Sequence, residues 1–409
     1  MTKRGGGSSG EVAEQGGGEV VEQGRGIGQM TFGFSLAMAG NGLLLAILGV
    51  RATRAGFSNA VTGAILGAYY VGFLAGARHV RGIVARLGLA RALLVLVAAM
   101  GVIAAAPALG EVPAWWIVLR LVQGYAISAC YVVVETWLNG TIGNERRGHL
   151  LGIYMVCSMA AFAVGSFVYR FTGADGTMPF LVAGAITGAG AIVLTGLHSR
   201  VPVVHARTPQ AVPMRLLFQL APIGVTVGAL VGFVNGAFTV AAVYAERANF
   251  TDAQTATISA VVGIGPIVVL YPLSVLSDRV SRRGVLIASA ALASILLVLT
   301  AAMKPAGWPM MAALTIVGGL TISLYTLTSA ETNDKVEPDQ MAGASGQIVL
   351  LYGIGAILGP FAATATMGRF GPRGFFWLNA AGHAVAVVLV LGMTFAYRST
   401  RPRVTASVG

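Results

Sequence analysis

Two ionisable residues sit inside one apolar run. The stretch 117–148, IVLRLVQGYAISACYVVVETWLNGTIGNERRG, reads as a single helix carrying Arg120 and Glu135 and closing in a basic loop. A charge inside a bilayer costs roughly 3 kcal/mol on insertion scales, so a chain that keeps two on one helix is expected to use them. A carboxyl held in a partly dry cavity can take up and release a proton. The fifteen-residue spacing turns a helix through four full turns plus about 60°, which lets both side chains face one side, about 22 Å apart. Direct pairing is excluded, and each group needs its own partner or a wet cavity.

The elements that must position them are apolar. Of 409 residues, 56% are hydrophobic and 10% charged, and mean hydropathy is +0.78. A soluble domain is nearer one quarter charged, so the composition reads as an integral membrane protein. The net charge of +12 does not point to nucleic acid, because the arginines stand in short loops between apolar runs. Cys130 and Cys157 lie within apolar runs and read as buried free thiols.

Residues 1–29, rich in Gly, Glu, Gln and Ser, are expected to form a disordered cytoplasmic tail without the apolar centre of a signal peptide. Twelve apolar spans follow, near 30–50, 58–78, 89–109, 113–139, 149–169, 178–197, 217–244, 254–276, 284–303, 309–332, 341–367 and 375–397. The polar connection 198–215 separates a six-helix bundle at 30–197 from a second at 216–398, and 399–409 is a second tail.

The two halves repeat. Asn41-Gly42 recurs as Asn235-Gly236, Gly124 as Gly318, and Gly165 with Phe167 as Gly359 with Phe361, all at an offset of 194. Phe57-Ser58 recurs as Phe250-Thr251, and Arg86 as Arg279, at 193. Such a series implies duplication of a six-helix unit, an architecture that places a solute site between the halves near mid-membrane. Lys and Arg concentrate on one side of the arrangement, in loops such as 78–91 and 279–283, which predicts a cytoplasmic-membrane protein with both termini inside.

The loop PLSVLSDRVSRRGVL, from Pro272 to Leu286, resembles the cytoplasmic signature G-x-L-S-D-R-x-x-R-R of the major facilitator superfamily. The resemblance implies that Asp278, Arg279, Arg282 and Arg283 form a gating latch between neighbouring helix ends. The first-half counterpart, ARHVRGIVARLGLAR, has Ala85 in the acidic position but keeps Arg86, Gly88 and Arg91. Arg120-Leu-Val-Gln123-Gly124 is similar to the superfamily pattern R-x-x-Q-G, which implies a role for Arg120 and Gln123 in coupling or in shaping the cavity. Val132 to Thr136, Lys335-Val336-Glu337 with Gln340, and Gly355 to Pro360 resemble the YcaD-type branch over nearly the whole chain beyond the tail.

Transport and proton coupling are therefore expected of Glu135, Arg120, Gln123 and Glu331. Cavity lining is expected of the repeat-related Asn41 and Asn235, and of Tyr69 and Gln347; Tyr70 is a further candidate for the path, with packing as the alternative for both tyrosines. Glu135 and Glu331 have a structural alternative, as interfacial groups bonded to Arg146, Arg147 or Lys335. For Asn41 and Asn235 the alternative is helix–helix hydrogen bonding. Asn379 and His383 are weaker candidates, and a lone His383 reads as a bonded core residue.

The expected function is secondary active transport of a small solute by alternating access, driven by H⁺, in a monomer embedded in the lipid bilayer. A transporter-like sensor or a lipid-moving protein is the alternative. The sequence has no Walker pattern, no H-E-x-x-H, and five histidines without metal spacing, so neither an enzyme, a cofactor, a metal nor a nucleic-acid partner is expected.

Overall fold

A computed structural model describes residues 8–141, 144–197, 212–303, 307–337 and 340–399. The described chain is helical, without a strand. In order the helices are α1 (Ser8–Arg54), α2 (Asn59–Ala105), a 3₁₀ turn η1 (Ala106–Leu109), α3 (Pro113–Thr141), α4 (Asn144–Thr172) and α5 (Met178–Leu194). The second half holds α6 (Met214–Leu220), α7 (Pro222–Phe238), α8 (Ala241–Arg247), α9 (Asp252–Arg279), α10 (Arg282–Met303), α11 (Trp308–Asn333), α12 (Met341–Phe370) and α13 (Gly374–Ser399). Nine helices among the described residues are long and apolar enough to cross a membrane, or ten if the bent pair α6–α7 counts as one.

The twelve expected spans fall largely on helical chain, with boundaries that differ; α5 ends at Leu194, and the span 217–244 is also broken between Phe238 and Ala241. The spans at 58–78 and 89–109 follow each other within α2 without an intervening loop and meet at a break at Gly88 (φ 74°, ψ 169°). That backbone region is open essentially to glycine alone, so the helix breaks there without a loop. The seventh span begins at Pro222, not at residue 217, because the residue before a proline is driven out of the α region. Ala221 (φ −132°, ψ 62°) makes that break, and α6 lies at 110° to α7. Helix α1 begins at Ser8, inside the expected disordered tail; its Glu, Gln, Val and Ala residues extend a helix already nucleated by the apolar span. Residues 1–7, most of the 198–215 connection and 400–409 lie outside the described residues.

The repeat is visible in matched details. Ser58 accepts a bond from the Val61 amide at the start of α2, and its counterpart Thr251 accepts from the Gln254 amide at the start of α9. Gly72 and Gly124 bring α2 and α3 into backbone contact, since a Cβ at either would stand 1.8–1.9 Å from the carbonyl oxygen of Leu121 or Tyr69. Gly265 does the same for α9 against Thr315 of α11. Gly165 meets Ala39 of α1, and Gly359 meets Phe233 and Ala237 of α7. Small residues at such crossings allow close packing where lipid supplies no hydrophobic drive between helices.

The halves join along two symmetry-related seams, α2 against α12 and α4 against α9. At the end of the bundle that holds Arg54, the hydrophobic cores merge: Ala242 and Ala256 of the second half pack with Leu43, Ile47 and Trp116, while Leu66 of α2 packs with Val243 and Phe375. At the opposite end, which holds Glu135, the cores stay separate. One is built from Met30, Phe34, Leu93 and Trp137, the others from Val285, Leu327 and Val390 and from Leu217 and Ile348. Large side chains such as Val102, Val164, Val268 and Phe395 are exposed around the outside, as a lipid-facing surface requires. Cys130 is a buried free thiol as expected, whereas Cys157 lies on the exposed face of α4, since apolar character there serves lipid and not a core.

Candidate functional site

Helix α3 carries Arg120 on its inner face, 3% exposed. Its Nη1 donates to Gln123 Oε1 at 2.7 Å, and Gln123 Nε2 donates to Asn41 Oδ1 of α1 at 3.0 Å. The guanidinium lies 4.7 Å from the centre of the Tyr69 ring of α2. Arg120, Gln123, Asn41 and Tyr69 thus form one buried polar bracket across α1, α2 and α3. The cation–π contact and the charge-assisted bond compensate part of the cost of the buried cation. Arg120 Nε has no partner among the described residues. The repeat counterparts of Arg120 and Gln123 are Leu314 and Val317, so the second half has no copy of this bracket.

A cavity of about 290 Å³ lies between the halves. Tyr70, Tyr131, Phe162, Phe238 and Tyr352 line it, together with Asn235. Of the four residues expected to line it, Asn235 does. Asn41 and Tyr69 stand behind the wall in the Arg120 bracket. Gln347 bonds the Val212 carbonyl at 3.2 Å and anchors the chain before α6. Tyr70, next to Tyr69, reaches the cavity instead. His383 is buried between Thr321 Oγ1 (3.1 Å) and the Asn379 carbonyl (2.7 Å), as a bonded core residue. Asn379 donates to the Phe375 carbonyl at 2.9 Å.

Glu135 stands one helical turn beyond Tyr131, on the same face of α3. It is exposed and lies within electrostatic reach of Tyr131, Tyr154 and, in the other half, Tyr325. Among the described residues it has no ion-pair partner; the side chains of Arg146 and Arg147 lie outside them. Arg120 and Glu135 are not brought together.

Glu331, 3% exposed, is paired with Arg283 at 2.8 Å. Arg282 bonds Asp334 at 2.6 Å and Asp278 at 3.2 Å. The motif loop therefore ties the α9–α10 corner to the end of α11 within the second half. Arg279 is exposed and takes no part in these pairs.

Sequence reasoning missed the polar cluster at the Arg54 end. Arg54 bonds Glu246 at 2.9 Å and Asp252 at 2.6 Å, and Tyr169 donates to the same Asp252 oxygen at 2.7 Å. Arg51 bonds Glu111 and Asp175, and Arg54 also reaches Asp175 at 3.0 Å. On the other seam Arg247 donates to Asn59 Oδ1 at 2.5 Å, and Thr364 donates to the Asn59 carbonyl at 2.9 Å. Among the described residues, the ion pairs that cross between the halves lie at this end.

The family model of the Major Facilitator Superfamily matches residues 30–251 and 224–408. The chain belongs to the major facilitator superfamily. Superfamily relatives include an uncharacterized transporter, YfkF of Bacillus subtilis, 25% identical over 368 residues that span 88% of this chain and 93% of the relative. YcaD of Escherichia fergusonii, also an uncharacterized transporter of the superfamily, is 25% identical over 338 residues, 80% of this chain and 85% of the relative. Two crystal structures of the nucleoside transporter NupG share the fold, with TM-scores of 0.76 and 0.71 at 14% and 15% identity, over 90% of this chain and 99% of theirs. A bacterial homologue of the human lysosomal transporter Spinster, inward-facing and unoccupied, matches with a TM-score of 0.65 at 16% identity, over 92% of this chain and 95% of its own. The superfamily assignment makes this a multi-pass membrane protein of a transporter fold, with the resemblance seen in the motifs extended to the whole chain.

Proposed function

We propose that this protein is a secondary transporter that carries a small solute across the cytoplasmic membrane by alternating access, with H⁺ as the driving ion and the monomer as the working unit. The asymmetry between the two ends of the bundle carries the reading. At the Arg54 end the cores merge and Arg54, Arg247 and Tyr169 bond across the halves. At the Glu135 end the cores are separate and the cross-half ion pairs are absent among the described residues. A two-fold-related pair of bundles joined at one end can rock about the cavity between them.

The Glu135 end faces the cytoplasm in this reading, because the basic segments Arg78–Arg91 and Arg279–Arg283 lie there. Both termini are then cytoplasmic. Glu135, a carboxylate beside the cavity wall without an ion-pair partner among the described residues, is the group that would take the proton. Arg120 holds α1, α2 and α3 in register. Asp278, Arg282, Arg283 and Glu331 brace the cytoplasmic corner of the second half.

Counterflow tests the reading. Proteoliposomes are loaded with a bacterial small-molecule extract, and solutes retained or exchanged are identified by mass spectrometry against empty liposomes. In a Cys157→Ser background, Asn59→Cys and Gly368→Cys face each other across the α2–α12 seam, where a Cβ at Gly368 meets the Asn59 side chain. Cross-linking this pair is expected to stop exchange and reduction to restore it. Exchange that continues at the same rate in the cross-linked protein would refute rocking about this end.

A further inference from the structure

We infer that the solute is uncharged, carries a ring, and presents an N–H or O–H donor to Asn235. This rests on the transporter reading, because it takes the cavity between the halves as the solute site.

The cavity wall decides the charge. Among the described residues that line it there is no Asp, Glu, Lys, Arg or His. The charged groups nearby are not among the lining residues: Arg120, bonded through Nη1 to Gln123 and set over the Tyr69 ring, stands behind them, Glu331 is paired with Arg283, and Glu135 is a turn beyond Tyr131. An ion brought into this space would lose its hydration and find no counter-charge, a cost of several kcal/mol.

The wall also decides the shape. Tyr70, Tyr131 and Phe162 of the first half and Phe238 and Tyr352 of the second line it, together with Met38 and Met159. Aromatic faces and polarisable sulfur suit a flat, apolar ring. A volume of about 290 Å³ stands at the small end of ligand pockets, which run from about 300 to 1,000 Å³.

Asn235 decides the polarity. Its residue is 8% exposed, and both amide hydrogens are used, on the Val231 carbonyl at 3.0 Å and the Thr321 carbonyl at 3.1 Å. Those two bonds fix the orientation of the amide, and Oδ1 of this lining residue has no donor among the described residues. Ser259 Oγ, of another lining residue, has no partner among the described residues. The polar groups on this wall, Asn235 and Ser259 with the hydroxyls of Tyr70, Tyr352 and Thr239, are all neutral, and they select a neutral molecule with hydrogen-bonding groups of its own.

The test uses three matched probes with one ring system: 3-(2-hydroxyethyl)indole, which is neutral, indole-3-acetate, an anion, and tryptamine, a cation. Binding to the purified full-length protein is measured by thermal stabilisation at millimolar probe, and flux by counterflow in proteoliposomes. The neutral probe is expected to stabilise the wild type at least about tenfold more effectively, in apparent Kd, than either ion. Asn235→Leu is expected to lose that binding, and Asn235→Asp to shift preference toward tryptamine. Ser259→Ala serves as the milder variant should either Asn235 variant fail to fold, with an expected loss of a few-fold for the neutral probe. Preference for indole-3-acetate or tryptamine in the wild type, or no stabilisation by the neutral probe, overturns the inference. Tryptamine binding that vanishes in Glu135→Gln overturns it too and assigns the solute to the acidic mouth. Neutral binding without counterflow leaves the solute class standing and sinks transport, whereas counterflow of an ion does the reverse.

Discussion

Arg54 and Asp252 form an ion pair of 2.6 Å between the end of α1 and the first turn of α9. The offset of 193 that relates the halves carries Arg54 onto Arg247 and Asn59 onto Asp252. Arg247 bonds Asn59 at 2.5 Å, so the same bridge is built twice, once from each half to the other. A contact that maps onto itself under the repeat is what two rocking bundles need to close one end evenly. Arg54→Gln or Asp252→Asn removes one copy and a networked, partly buried charge. A loss of about 1–2 kcal/mol corresponds to a five- to thirty-fold shift in population. Spin labels at Leu109 and Trp308, both exposed at this end, are expected to report a larger share of long distances in either variant. An unchanged distance distribution would show that the bridge does not hold the end shut.

Glu135 has no ion-pair partner among the described residues, whereas Glu331 has Arg283. Glu135→Gln is therefore expected to abolish uptake driven by a pH gradient while leaving solute exchange at equal pH within a few-fold of wild type. Glu331→Gln is expected to act on stability instead, because it leaves Arg283 without its partner. Proteoliposome flux with and without a gradient separates the two roles. A Glu135→Gln protein that still accumulates solute against a gradient would remove H⁺ coupling from this position.

Arg120 and Gln123 are buried together, and truncating either strands the other. Gln123→Ala removes the acceptor of Arg120 and the donor to Asn41 at once. Each bond involving a charged group contributes about 1.5–3 kcal/mol, so a clear fall in the apparent Tm of the detergent-solubilised protein is expected. The exchange Val317→Ala, at the repeat-related position, trims an apolar side chain and is expected to cost less. Equal losses at the two positions would mean that the bracket contributes packing alone.

Gly124 and Gly318 are repeat-related but not equally crowded. A Cβ at Gly124 would stand 1.9 Å from the Tyr69 carbonyl oxygen, whereas one at Gly318 would stand 3.0 Å from that of Val262. Gly124→Ala must separate α2 from α3 and is expected to abolish monodisperse protein in fluorescence-detected size exclusion. Gly318→Ala needs a shift of a few tenths of an ångström and is expected to be recovered folded. The reverse order of damage would contradict the packing described here.

Much of this architecture was legible in the residues themselves. Hydropathy marks the spans because lipid leaves only helices as a way to satisfy the backbone. The recurring Asn-Gly, Gly and Phe-Ser signals mark the repeat because equivalent helix starts and crossings need the same small or capping residues. The cavity was less legible. Tyr69 and Tyr70 are adjacent, and one turns inward to Arg120 while the other lines the wall; no spacing rule separates neighbours on a helix whose rotation is set by packing. Gln347 is not among the residues that line this cavity, and its amide donates to the Val212 carbonyl of a connecting segment, a partner that no spacing in the sequence announces. The Arg54 bridge was within reach: extending the offset of 193 to Arg54 and Asn59 would have paired them with Arg247 and Asp252. What the offset does not say is that each arginine crosses to the opposite half.

Gly88 bears on how the chain enters the membrane. A helix running straight through the 47 residues of α2 would be about 70 Å long, more than twice a hydrocarbon core of about 30 Å. The positive-φ backbone at this one glycine divides the 47 residues into two helices, which the two expected spans make two crossings of opposite direction. During synthesis the pair would leave the insertion machinery as a preformed hairpin, its basic tip held back on one side. Topology of the first half would then be decided by one residue's steric freedom, and a β-branched residue there would put every later helix at risk of facing the wrong way.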